Sequence, residues 1–326
     1  PHHLFTKLFL MTSNSSPNIS GVPEQVQENI ISDLVQDAAS LGSPIKYRVG
    51  ISVSENEDLG LLGYSSVHLR DLTIEIVRHL LINNASIVYG GDLRKEGYTE
   101  LFSDLTYQYR SIADAKKILF KNYFAYPIYC LLTRQNELEF KKNKTDIFKV
   151  LPPEDLHVDQ DTYIAPTTLE AKYIWCCSLS KMRDLMIDNT DARILIGGKC
   201  SNYLGKMPGV IEEAKIAVNK NKPLYLIGAF GGATNEVINA LQGKGFSYGS
   251  NNFHQTFEYE QFKTFYNQKE VNNPISVEAD IAFFHELGVT GLSKLNGLTI
   301  EENERLFQTP HLSEILFYIF KGLNNL

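Results

Sequence analysis

No apolar run in the 326-residue sequence approaches the roughly 20 residues that a membrane-spanning helix needs, so no membrane partner is expected. Basic tracts with interleaved aromatics are also missing, and the net charge is −7. That balance argues against an extended nucleic-acid partner while leaving room for a local positive pocket. Cysteine is sparse. Cys130, Cys176, Cys177 and Cys200 match no zinc spacing, and two of them are adjacent, so they read as buried thiols of a reducing cytoplasm. The eight histidines are scattered, so neither a metal nor another cofactor is expected. The opening "PHHLFTKLFLM" has weak signal-peptide character and lacks an initial Met. Met11 is the candidate natural start, which would leave residues 1–10 outside the native protein, and the chain reads as cytoplasmic.

What is present is ordinary for a soluble globular protein: 43% apolar residues, 21% charged, and length for a substantial core. Residues 12–44 begin Ser/Asn/Pro-rich and then give one amphipathic helix in "EQVQENIISDLVQDAASLG". From there the chain alternates. Strands are expected at 46–53, 85–93, 122–132, 192–198 and 222–228, with helices at 65–84, 97–112, 168–189, 209–220 and 234–243. The polar stretch 134–167 reads as an insertion or flap. The tail after 250 reads as a helical extension, with helices at 275–288, after the Thr299/Glu302 capping box, and from a Thr309 cap to a Gly322 stop. Alternation of this kind predicts an α/β fold: a Rossmann-like parallel sheet flanked by helices, with ligands at the carboxyl ends of its strands. The expected division is 1–44, a nucleotide-binding domain at 45–250, and 251–326.

Three strand ends carry glycines. "VYGGDLRKEGYTE" holds Gly90 and Gly91, with Arg94 and Lys95 placed to meet an anion. "RILIGG" ends at Gly197 and Gly198, and "PGVIEEA" then opens a helix with Gly209, Glu212 and Glu213. "LIGAFGGATNEV" supplies Gly228, Gly231 and Gly232. Taken singly, each has a plain structural reading: glycines for turn geometry, and glutamates favoured by a helix's first turn. Several backbone cradles on one sheet edge are what a ligand with phosphate and ribose needs.

In this order the motifs resemble the SLOG superfamily, which unites the Lonely Guy phosphoribohydrolases with nucleotide-sensing relatives, over roughly residues 46–245. "VGISVS", with Gly50 and Ser52, and "VYGG" look like the family's first half. "MRDLMIDNTDARILIGG…PGVIEEA" looks like the arginine helix followed by the "PGGxGTxxE" loop. The resemblance implies a phosphate loop at Gly90 and Gly91, with Asp92 where the hydrolases carry a third glycine. Arg183 then matches the arginine beside the scissile bond. Gly197, Gly198 and Gly209 match the loop glycines, and Glu213 its final glutamate. Glu212 and Glu213 would face ribose hydroxyls and the attacking water. Against the hydrolase pattern stand the insertion "KCSNYLGKMP", containing Lys199 and Tyr203, and Val210 in place of threonine. The insertion is similar to sensor-type members that bind NAD-derived nucleotides such as cyclic ADP-ribose.

Two functions follow as expectations. One is binding of an ADP-ribose-, cyclic ADP-ribose- or NAD-like ligand as a sensor in prokaryotic defence or stress signalling. The sensor would report through an effector protein partner or self-association, and relatives commonly pair, which implies a homodimer or higher homo-oligomer. The alternative is hydrolysis of the N-glycosidic bond of a nucleoside monophosphate or NAD-like nucleotide, with Glu213 and Arg183 as catalytic residues. A SLOG fold that has lost its ligand is the third reading.

Overall fold

β1 (Tyr47–Ser54) reads YRVGISVS, and its alternation is unusual for a strand at the centre of a parallel sheet. Such strands are covered on both faces and tend to be apolar throughout. Here Val49, Ile51 and Val53 enter one core, while Gly50, Ser52 and Ser54 turn to the other face. The polar, small-residue face marks the region where the candidate site is built.

The computed structural model describes residues 45–91, 93–110, 117–246, 249 and 251–325. The segment 1–44, with the helix expected in it, and Asp92 lie outside the described residues. After β1 come α1 (Ser66–Ile82), β2 (Ala85–Gly90), α2 (Tyr98–Arg110), β3 (Phe120–Ala125), α3 (Arg134–Lys142) and β4 (Thr145–Val150). They are followed by α4 (Leu169–Asp188), β5 (Ala192–Gly197), α5 (Gly209–Asn219), β6 (Leu224–Ile227) and α6 (Gly232–Leu241). The tail forms α7 (Phe257–Lys269), α8 (Val277–Asn296, broken at Gly288), α9 (Ile300–Gln308) and α10 (Leu312–Asn324).

The six strands make one sheet in the order β4-β3-β2-β1-β5-β6, with every pairing parallel. The chain winds outward from β1 to β4 and then returns to place β5 on the other side of β1, with Ser54 opposite Gly197. This reversal opens a crevice outside the carboxyl ends of β1 and β5, the usual ligand position in doubly wound sheets. One face is covered by α1, α2 and α10 through residues such as Leu69, Phe102 and Ile315. The other is covered by α4, α5, α6 and α8, through residues such as Met186, Ile211, Val237 and Phe284.

Two expectations are corrected and a third is given its place. The first half of the stretch read as a flap is regular structure: α3 and then β4, which completes the sheet beside β3. Its "TDIFKV" is partly exposed from Asp146 to Lys149, as an edge strand is, so its charges disguised it. Secondly, the helical extension expected after 250 is present, and its Leu298, Leu306, Ile315 and Ile319 join the core of β1 and β2 in one compact unit. Thirdly, Thr309 closes α9 and His311 precedes α10, while Gly322 lies inside α10 and is no stop.

Gly322 is small because Tyr225 of β6 presses on it, and an added Cβ would stand 2.5 Å from the Tyr225 hydroxyl oxygen. Tyr225 is fully buried and its hydroxyl donates to the Asn296 carbonyl, so the ring cannot swing away. Gly322→Ala should therefore cost about 1–3 kcal/mol through overpacking despite alanine's better helix propensity. A midpoint equal to or above that of the unaltered protein in thermal unfolding would refute this packing account.

Candidate functional site

Arg193 is the second residue of β5 and is the largest of the fully buried side chains. It projects onto the face of β1 that lacks apolar residues. Its guanidinium occupies the space a side chain at Gly50 would need, with Nη2 2.7 Å from an added Cβ. Arg193 Nη1 donates to Glu213 Oε2 at 2.6 Å and to the Ser52 hydroxyl at 2.8 Å. Ser52 in turn donates to the same Glu213 oxygen at 2.5 Å. Burial pushes the Arg193 pKa below its ordinary value, against the pull of Glu213.

A second pair completes the cluster. Arg183 of α4 is ion-paired to Glu212, which also accepts from Ser180, and its Nε stands 3.6 Å from Glu213 Oε1. Burial opposes the Arg183 charge, but Glu212 and Glu213 outweigh it and hold its pKa above the usual arginine value. Two arginines and two glutamates thus cancel in charge, as buried ions must. The cluster is not sealed: the Arg183 and Glu213 side chains keep 11% and 13% of their surface exposed.

The insertion after β5 lies against this cluster. Gly205 is packed on Arg183, and Gly209, which opens α5, would place an added Cβ 2.6 Å from Arg183 Nη2. The same loop turns Cys200, Ser201 and Asn202 to the other side, where they line a pocket of about 520 Å³. Its remaining walls are Glu57 and Asp58 from the loop after β1, Glu236 of α6, and Asn251, Asn252, Phe253 and Thr256. Burial and then Glu236, Glu57 and Asp58 push the Cys200 thiol up, a sign of how negative this wall is. The segment 251–256 is fastened to the insertion. Asn251 donates its amide N–H to the Cys200 carbonyl at 3.0 Å. Its amide oxygen therefore faces His254 Nδ1 at 2.7 Å and can only accept, so His254 Nε2 accepts from the Tyr203 hydroxyl at 2.6 Å.

The glycine turns divide into two kinds. Gly231 and Gly232, both at positive φ, lead into α6 beside the pocket, but the anion position there is already filled. Asp58 Oδ2 accepts from the Gly232 N–H at 2.7 Å, so a phosphate would have to displace the protein's own carboxylate. Gly197 and Gly198 sit at the end of β5, and the Gly198 carbonyl accepts from Ala233 at 2.9 Å, tying the two turns together. The others are packing positions. Gly90 abuts Met182 and Met186, and Gly228 abuts Ile238 and the Phe307 carbonyl of α9. A side chain at Gly91 would overlap Thr99 and the buried Asn122. Arg94 and Lys199 are exposed, and the Lys199 N–H reaches the Ser54 hydroxyl at 3.2 Å.

Ser52, Arg183, Glu212 and Glu213 are therefore brought together, with Gly50 and Gly209 giving the arginines room. The residues that sequence reading passed over are Arg193, Asp58 and the wall at 251–256. Arg193 had a visible signal, a charge inside the strand run "ARILIGG" opposite a Gly/Ser-alternating strand. The thiols are all free, with Cys176 buried and the other three half-buried. Among the described residues, no group of three or more His, Cys, Asp or Glu is placed to hold a metal ion, and no helix is long and apolar enough to cross a membrane.

No curated protein matches the chain in a sequence search. The family model for SLOG cluster2 matches residues 45–306, which takes in the whole sheet, both arginine–glutamate pairs and the pocket walls. With the all-parallel, helix-flanked sheet and the arginine-helix and glycine-loop order in place, the chain belongs to the SLOG superfamily.

Proposed function

We propose that the protein binds a nucleotide-derived ligand of the ADP-ribose, cyclic ADP-ribose or NAD-like class in the crevice outside β1 and β5. It would act as a cytoplasmic sensor in a prokaryotic defence or stress pathway, reporting through self-association or an effector protein. The observation that carries this is the pocket of about 520 Å³ at the point where the strand order reverses. Its volume falls in the range of small-molecule sites. Its lining suits a sugar and base better than a phosphate: Glu57, Asp58 and Glu236 are acceptors for ribose hydroxyls, Asn251 and Asn252 offer amides, and Phe253 an aromatic surface. Phosphates would lie outside this acidic wall, toward exposed cations such as Lys199 and Arg94.

The hydrolase alternative draws on one observation, the approach of Arg183 to Glu213. Against it, Glu213 is already neutralised by Arg193 and held by Ser52, which leaves it little charge for an oxocarbenium-like centre. The insertion also packs on Arg183. Incubation with NAD, ADP-ribose, cyclic ADP-ribose isomers and nucleoside monophosphates separates the two. Binding should raise the unfolding midpoint without products on chromatography, the gain being about 2.7 kcal/mol at ~100 times the dissociation constant. Release of free base would establish the hydrolase. A flat response across the series would overturn both.

A further inference from the structure

The pocket outside β1 and β5 carries more negative charge than a ribose can answer. Glu57, Asp58 and Glu236 line it together, and its described lining includes no lysine, arginine or histidine. Glu57 accepts a hydrogen bond from Ser201, and Asp58 accepts from the Gly232 N–H at 2.7 Å. Both donors are neutral, and neither carboxylate has a cation within ion-pair distance among the described residues. Glu236 is 6% exposed, so water screens its charge poorly. A ribose hydroxyl would satisfy a lone pair on this wall and leave the charge in place. Two further observations say what kind of cation fits. The carboxylates do not converge on a point, since among the described residues no group of three or more His, Cys, Asp or Glu could hold a metal ion. They border instead a space of about 520 Å³, room for an aromatic ring with its sugar. Phe253 belongs to the same wall, and a phenyl face attracts cations. Its ring is held by Tyr203 and Tyr259, with centroids 5.2 and 5.1 Å away, so that surface is fixed before any ligand arrives.

We infer that the pocket selects a nucleotide whose base is an N-ribosylated aromatic cation, the pyridinium ring of an oxidised nicotinamide dinucleotide, over the reduced and uncharged ring. The inference rests on the reading that this crevice receives a nucleotide-derived ligand, and it deepens that reading: the site responds to the oxidation state of the ring. Positive charge spread over a flat ring faces several separated carboxylates at once, which a compact ion does not. The hydroxyls of the attached ribose still reach carboxylate oxygens, so one acidic wall recognises both sugar and charge. The side chain of Asn252, in the same wall and with no hydrogen-bond partner among the described residues, offers an amide to the ring's carboxamide. Much of this wall comes from the insertion after β5, through Cys200, Ser201 and Asn202, and from the segment 251–256 beyond α6.

The test is calorimetric titration of the full chain with NAD+, NADH and ADP-ribose at low and high salt. The unaltered protein is compared with Glu57→Gln, Glu236→Gln, the two together, and Phe253→Leu. In the unaltered protein NAD+ should bind about tenfold or more tighter than NADH, and the gap should narrow as salt is raised. Glu57→Gln removes a charge at the exposed rim while keeping an acceptor for Ser201. It should weaken NAD+ about two- to fivefold and leave NADH unchanged. The double variant should bring the two dinucleotides within about threefold of each other, and Phe253→Leu should lose part of the preference. Glu57→Gln keeps the inference testable if Glu236→Gln does not fold. Carboxylates that only shape the pocket would, when replaced, weaken NAD+ and NADH by one common factor. That result, or equal affinity for NAD+ and NADH in the unaltered protein, would overturn the inference while leaving the ligand reading in place. Absence of binding heat from all three compounds in the unaltered protein would overturn the ligand reading itself.

Discussion

Glu213→Gln should destabilise the fold by about 3–5 kcal/mol, a large share of a typical domain's stability. The cost comes from the residue left behind. Arg193 is 0% exposed, and Glu213 is the one carboxylate among the described residues within ion-pair distance of it. An amide cannot balance that charge, and the buried guanidinium already has two nitrogens without partners. Arg193→Met with Glu213→Gln removes both members of the pair and should recover most of the loss, because a Met side chain fills the space beside Gly50 without needing a counter-ion. Urea unfolding of the two single variants and the double variant checks this. Additive losses would mean that the pair does not act as a unit. The same result bears on function: inactivity of Glu213→Gln alone would not identify a catalytic base, and the double variant is the proper comparison.

Gly232→Ala should cost about 2–4 kcal/mol and abolish ligand-induced stabilisation. Gly232 has φ of 65°, which an L-residue adopts only with strain, and its added Cβ would overlap the Gly198 carbonyl oxygen. That oxygen cannot retreat, since it accepts from Ala233 at 2.9 Å. The Asn56 side chain closes the remaining direction. Any shift of Gly232 also moves the N–H held by Asp58, and with it one wall of the pocket. Gly245→Ala is the control: an added Cβ there meets nothing within 4 Å, so its effect should stay within about 0.5 kcal/mol. If the two variants unfolded at the same temperature, the coupling of the turn to the pocket wall would be wrong.

The parts of the molecule that were legible in the sequence are those with a repeating local signal. "ILIGG" and "PLYLIG" are mainly apolar runs ending at glycine, as parallel strands covered on both faces should be, and both fall in strands. The Thr299/Glu302 capping box is formed as expected. Arg183 and Glu213 were reached through the SLOG resemblance, and the fold brings them within 3.6 Å. What escaped is what depends on distant chain segments. A glycine after a strand looks the same whether it turns against Asp58 and Leu62, as at Gly231, or against the methionines of α4, as at Gly90. Asp58 gives no sign of the helix it reaches, 174 residues away. Arg193 was readable in principle, but a charge at the start of an apolar run passes for a strand boundary until its partner strand is known.

The strand order has a consequence for how the chain assembles. β1 is made early and pairs with β2 almost at once, but its other edge waits for β5, about as far off as the 143 residues separating Arg48 from its partner Asp191. Closing so long a span is slow, and an unpaired central strand is exposed to capture by other chains in the meantime. The glycine and serines at positions 50, 52 and 54 then serve a second purpose. They leave one side of the waiting strand with little apolar surface to offer a stray neighbour, and β5 arrives carrying the arginine that fits the gap above Gly50. A charge matched to a polar groove in this way selects the correct strand and register, since any shift by one residue would turn Arg193 into the hydrocarbon of the opposite face.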